Sequence, residues 1–168
     1  DWIERGYLDK LKLPQVIIRD SDRSAAAMPL DIKKQEWHRN INSQPGKVAF
    51  ITQKRNMDNY VHINALVRLT GGKLTIPSSF DLDFHRMDNE FGDRLSDAIK
   101  NDGLIFNATD LSGNHIRARK ENAKHILAAY IIRNMTADEI KERGAYTDAN
   151  GKSKNEIIEW ISAIQTHI

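Results

Sequence analysis

Residues 15–22 read Gln15-Val16-Ile17-Ile18-Arg19-Asp20-Ser21-Asp22. Pro14 stands just before them and disfavours helix in the residue that precedes it. The short continuous apolar run that follows is the signature of a strand in a parallel sheet. Asp20 then falls at the carboxyl end of that strand, and Tyr7 to Leu11 finish a helix on its amino side.

Downstream, the segment from Pro29 to Ile41 mixes Leu30, Ile32 and Trp37 with charged residues and is expected to be a helix. Asn42-Ser43-Gln44-Pro45-Gly46 is a turn, and Lys47-Val48-Ala49-Phe50-Ile51-Thr52 is a second strand. Strand, helix and strand make a crossover unit, which lays the two strands parallel with both carboxyl ends on one edge. Ligands collect at that edge in open α/β sheets.

Beyond it the periodicity turns helical. Met57, Tyr60, Val61, Ile63, Asn64 and Val67 form a stripe from Asn56 to a stop at Thr70-Gly71-Gly72. Lys73 to Ile76 read as a short third strand, Pro77 to Asp83 as loop, and His85 to Lys100 as a helix carrying Met87, Phe91, Leu95, Ala98 and Ile99. After a brief apolar run at Leu104 to Phe106, a long helix is expected from His115 to Asn134. Capping boxes pair Thr136 with Glu139 and Ser153 with Glu156, and the last helix is expected to pack Ile157, Ile158, Ile161 and Ile164. The fold class is therefore α/β: a small parallel-sheet layer over residues 1–76, with a helical C-terminal region, residues 77–168, packed on it.

Composition narrows the chemistry. In 168 residues there is no cysteine, which removes disulfides, thiolate nucleophiles and cysteine-held zinc or iron, and leaves carboxylates, histidines and hydroxyls. That set favours a hard, oxygen-ligated metal. A net charge of +2 is too small to announce a nucleic-acid binder. No apolar run is long enough to span a bilayer, and Asp1-Trp2-Ile3-Glu4-Arg5-Gly6 lacks a secretion pattern, so a soluble, cytoplasmic chain without membrane attachment is expected.

Asp20 and Asp22, two apart beyond a strand, leave extended backbone on the same side and so can share oxygen-ligated cations. Such carboxylates repel each other unless a cation offsets them. Aspartate and serine are equally the residues of a tight turn, and that reading stays open. Lys54, Arg55 and Asp58 follow the second strand and are expected at the same edge. There Asp58 can complete a ligand set and Lys54 can offset charge on a phosphate. Each also has a plainer role, Asp58 at a helix dipole and Lys54 as a solvated strand end. His115, Arg117, Arg119 and Lys120 can contact phosphates, although a basic run is commonly a solvated face. The six histidines lack metal-ligand spacing, and there is no glycine-rich phosphate loop.

Val16-Ile17-Ile18-Arg19-Asp20-Ser21-Asp22-Arg23 and Phe50-Ile51-Thr52-Gln53-Lys54-Arg55-Asn56-Met57-Asp58-Asn59-Tyr60 together resemble the topoisomerase-primase (Toprim) domain of OLD-family nucleases. The segments from Met135 to Ile140 and from Gly151 to Trp160 are similar to the helical tail of such proteins. The resemblance implies that Asp20 and Asp22 bind Mg2+ or Mn2+, that Asp58, in place of the family's glutamate, assists, and that Lys54 supports phosphate chemistry. It also implies DNA as substrate and an ATPase chain or domain as partner in phage defence; Arg23, Arg55, Arg117, Arg119 and Lys120 are the candidate contacts to nucleic-acid phosphates. Self-association is left open. The family's first strand bears a glutamate well before its Asp-x-Asp, whereas here only Glu4 precedes Asp20, with no room for the intervening helix and strand. Three readings follow: a metal-dependent DNA endonuclease or nickase, strand transfer or primer synthesis, and a non-catalytic module that binds nucleic acid or an ATPase.

Overall fold

The computed structural model describes residues 13–69, 72, 80–86, 105–109, 115–117 and 132–167. The expected helix at Tyr7 to Leu11, the strand at Lys73 to Ile76, and most of the helices expected over 85–100 and 115–134 lie outside them.

Strand β1 (Gln15–Arg19) and strand β2 (Lys47–Ile51) pair in parallel, with Ile17 opposite Ala49 and Arg19 opposite Ile51. Helix α1 (Ile32–Asn42) connects them and lies against β2. Asp31 caps it, accepting the Lys33 amide at 2.8 Å, which satisfies one of the donors a helix start leaves unpaired. Asn42, its last residue, then turns its side-chain amide onto β2. Its Oδ1 accepts the Ala49 amide at 2.9 Å and its Nδ2 donates to the Ala49 carbonyl at 3.1 Å. A side chain thus replaces a strand along part of that edge.

Only Ile17 in β1 and Ala49 in β2 are fully buried, so the pair is covered less completely than two continuous apolar runs imply. The core is assembled beside the sheet from Tyr60, Val61, Ala65, Leu66, Phe80, Phe84 and Trp160. Val61 and Leu66 are almost wholly enclosed, each worth roughly 1.5–3 kcal/mol of apolar burial.

The continuous helix expected from Asn56 is two pieces, a 3-10 turn at Met57–Tyr60 and helix α2 (Ile63–Leu69). Val61 between them is extended, and His62 restarts the helix by accepting the Asn64 amide on Nδ1 at 3.1 Å. Buried Asn59 explains the break: its side-chain amide donates to the carbonyls of Leu82 and His85 at 2.8 and 2.9 Å, pinning the 80–86 turn to this segment. His85 therefore closes a turn instead of opening a helix.

Strand β3 (Ile105–Thr109) pairs antiparallel with strand β4 (His115–Arg117). The residues expected to begin the long helix at His115 are thus strand. Helix α3 (Ala137–Gly144) opens with the expected capping box, Thr136 Oγ1 accepting the Glu139 amide at 3.2 Å. Strands β5 (Ala145–Thr147) and β6 (Ser153–Asn155) form a second antiparallel pair, and helix α4 (Glu156–His167) follows directly. Ser153 is accordingly a strand residue and not a cap. Asn155 takes that place, its Oδ1 accepting the Ile158 amide at 3.2 Å while its Nδ2 reaches the Lys141 carbonyl at 2.6 Å.

Helix α4 contacts β1, α3 and β5, and of the four expected isoleucines Ile157 alone turns inward, part-buried against Gly144 of α3. Glu156 and Trp160 are its buried side chains, whereas Ile158, Ile161 and Ile164 are 40–49% exposed. Among the described residues no helix is long and apolar enough to cross a membrane.

Candidate functional site

The two motifs lie side by side beyond the carboxyl ends of β1 and β2. Buried Ser21 joins them: its amide donates to Thr52 Oγ1 at 2.9 Å and its hydroxyl to the Lys54 carbonyl at 2.6 Å. The Asp22 amide donates to the Arg55 carbonyl at 2.8 Å, and Asp20 Oδ1 accepts the Met57 amide at 3.0 Å. Asp20 thereby tethers the start of the turn that carries Asp58.

Extended backbone does not continue through the triplet. Asp22 has φ of +56°, the left-handed region that aspartate tolerates better than most residues, and its side chain turns outward with 66% of its surface exposed. The expectation that both carboxylates leave a straight strand on one face is corrected on that point. What converges instead are the Asp22 carboxylate and the Asp20 carbonyl, both on the ammonium of Lys34 from α1. That ammonium donates to the carbonyl at 2.6 Å and makes a very short ion pair with Asp22 Oδ2.

Lys54 is buried, facing inward. Its Nζ lies 3.0 Å from Asp83 and 5.5 Å from the centre of the Tyr60 ring. Burial lowers its pKa, the nearby Arg143 adds to the effect, and Asp83 and Glu156 oppose it. Asp83 itself is disfavoured as an anion by burial, yet Arg143 and Lys54 outweigh this and hold its pKa below the ordinary value. Arg143 pairs with Asp83 and donates to the Asn59 carbonyl at 2.6 Å. Behind them, buried Glu156 accepts the Gln53 amide at 2.9 Å and the Tyr60 hydroxyl in a very short bond. Its pKa is raised by burial, with Tyr60, the Gln53 amide and Lys54 opposing. Burial and Glu156 also raise that of Tyr60.

Asp58 is buried within the turn. Among the described residues no three His, Asp or Glu side chains form a group able to hold a metal, so Asp20, Asp22 and Asp58 are not a ready-made ligand triad. The donor chemistry at Asp20 and Asp22 nonetheless fits a hard cation, because a carboxylate and a carbonyl oxygen already meet on a positive charge. An ion pair with one exposed partner contributes roughly 0–1 kcal/mol, so the Lys34 ammonium is only weakly tied to the Asp22 carboxylate.

Arg23 donates to the Ala26 carbonyl at 3.3 Å and to the Gln53 carbonyl, and its guanidinium lies 5.5 Å from the Phe84 ring centre. Arg55 Nη1 reaches the Arg23 carbonyl at 3.5 Å. Arg117 is in β4, its side chain outside the description, and Arg119 and Lys120 lie outside the described residues. Lys34, Asp83, Arg143 and Glu156 were not singled out from sequence for the site. Their partners are 12 to 103 residues away, a distance at which no local pattern speaks.

No protein-family model, no curated protein and no solved structure matches this chain.

Proposed function

We propose that the chain carries a Mg2+- or Mn2+-dependent site that hydrolyses DNA phosphodiesters, in a Toprim-like layer of the OLD-nuclease kind that works with an ATPase chain or domain in phage defence. The observation behind the reading is the meeting of Asp20 and Asp22 oxygens on a cation at the carboxyl edge of a parallel strand pair.

Asp20 and Asp22 are the residues that hold the metal, and Asp58 stands next to the Met57 amide that Asp20 grips. Bound there, the metal supplies charge that lowers the pKa of attacking water and stabilises the leaving oxygen. Arg23 and Arg55 flank the turn with donors suited to phosphate oxygens. Lys54 acts from behind, its charge held by Asp83 and set against Tyr60. In the reaction water adds to phosphorus, the ester P–O bond breaks, and the departing oxygen takes up a proton.

Supercoiled plasmid incubated with the chain and either metal tests the reading. Asp22→Ala and Asp20→Asn are expected to abolish metal-dependent nicking with urea unfolding unchanged. Cleavage that persists in both variants would sink the mechanism.

One observation favours a second reading. Lys34 already satisfies Asp22, and Asp83 already neutralises Lys54, as in a non-catalytic module that binds nucleic acid or an ATPase partner. DNA binding in the wild type without cleavage in either metal selects it.

A further inference from the structure

Beside the aspartate turn, between α1 and the end of β2, lies an open cleft of about 440 Å³. Arg23, Arg39, His38 and Gln35 line it together with Leu30 and Ile51, and among the described residues no carboxylate does. Its volume falls in the range of small-molecule sites, roughly 300–1,000 Å³.

Its donors are only partly committed. Arg39 is exposed on the last turn of α1 and pairs with no carboxylate among the described residues. Arg23 spends one N–H of each terminal nitrogen on a carbonyl, which leaves each a second N–H to donate. His38 Nε2 lies 3.0 Å from Asn42 Nδ2, and the Asn42 amide is oriented by its two bonds to Ala49. Nε2 must therefore accept, which leaves the proton on Nδ1 as a donor. Two guanidinium groups and an imidazole N–H suit a phosphate, while Leu30 and Ile51 offer an apolar surface to a flat ring.

We infer that this cleft seats one unstacked nucleotide of a DNA strand, its phosphate on Arg39 and Arg23 and its base against Leu30 and Ile51. The inference deepens the function proposed above and rests on its choice of DNA. Arg23 follows Asp22 directly, and Thr52, which lines the cleft, holds the Ser21 amide at 2.9 Å. A strand seated in the cleft therefore runs past the Asp20 and Asp22 turn. A base stacked inside a duplex cannot enter such a recess, so single-stranded DNA is the preferred form.

The test is fluorescence anisotropy of a labelled single-stranded 12-nucleotide DNA with the full chain in EDTA, where cleavage plays no part. Arg39→Ala should weaken binding about 5- to 10-fold and reduce the slope of log affinity against log salt by about 0.7, as for one lost phosphate contact. Arg39→Glu should weaken it further, Arg39→Lys should recover part, and Lys152→Ala, an equal charge change elsewhere, should bind as wild type. Unaltered affinity in Arg39→Ala and Arg39→Glu, or equal affinity for a duplex of the same sequence, overturns the inference. Because the readout needs no metal, the cleft stands or falls separately from the nuclease: Arg39-dependent binding in a chain that never cleaves DNA still supports it.

Discussion

Removing the Glu156 carboxylate should loosen the segment that carries Lys54 and Asp58. In Glu156→Ala the Gln53 amide loses an acceptor at 2.9 Å, and the Tyr60 hydroxyl, on a ring only 5% exposed, loses its acceptor too. Two hydrogen bonds to a charged group at about 1.5–3 kcal/mol each give roughly 3–6 kcal/mol. The raised pKa of Glu156 shows that burial already penalises its charge, and truncation relieves that penalty, leaving a net loss of about 3 kcal/mol. Glu156→Gln keeps an acceptor for Gln53 and the shape of the side chain, so it should cost about 1 kcal/mol. Urea unfolding of the three proteins measures both. A loss below about 1 kcal/mol in the alanine variant, or an equal loss in both, would show that this acid does not hold the edge together.

Asp83→Asn should destabilise by about 2 kcal/mol, since it strips the counter-charge from buried Lys54 and from Arg143; Asp83 is 37% exposed, which reduces the penalty below that of a fully buried pair. Chemical denaturation of this variant reads the value directly. Gly144→Ala should cost about 1–3 kcal/mol, because a Cβ there runs into the Asn155 side chain and comes within 3.0 Å of Ile157 Cγ1, and the thermal midpoint should fall accordingly. Arg68, at 2.6 Å, is the main reason the Glu139 pKa drops from 4.5 to about 2. A lowered carboxylate pKa stabilises the fold above the unfolded value, so this contribution is present above about pH 4.5 and is lost as pH falls toward 2. Glu156 has the opposite sign, its raised pKa favouring the fold as pH falls toward 4.5. Denaturant midpoints measured across that range should therefore lose acid sensitivity in Arg68→Ala, and the gain on approaching pH 4.5 should vanish in Glu156→Gln.

The parallel strand pair was legible because apolar runs bounded by a proline and a glycine turn constrain a backbone locally. The proximity of Asp20 and Asp22 to Lys54 and Asp58 followed from that topology alone. What was hidden depends on tertiary partners. The stripe from Met57 to Val67 has helical spacing, but Asn59 is committed to the 80–86 turn, and the helix breaks after Tyr60. Ser153 and Glu156 have the spacing of a capping box, yet Ser153 pairs with Thr147 in a strand, and Glu156 reaches to Gln53 and Tyr60. The isoleucines of the last helix suggested its inner face, yet only Ile157 lies on it, beside Glu156 and Trp160, whose ring is 5.3 Å from that of Tyr60, while Ile158, Ile161 and Ile164 face outward. The two aspartates stood out from sequence. The lysine that already fills their oxygens did not, because nothing in the spacing of Lys34 from Asp22 points to an ion pair.

The most direct test of the central claim is Mn2+ binding to the purified chain by isothermal titration calorimetry, alongside Asp22→Ala and Lys34→Ala. The account predicts that Mn2+ binds the wild type, that Asp22→Ala weakens binding about 10-fold or more, and that Lys34→Ala tightens it by removing the competing ammonium. No binding to the wild type, or equal binding to wild type and Asp22→Ala, would contradict a metal site at this turn.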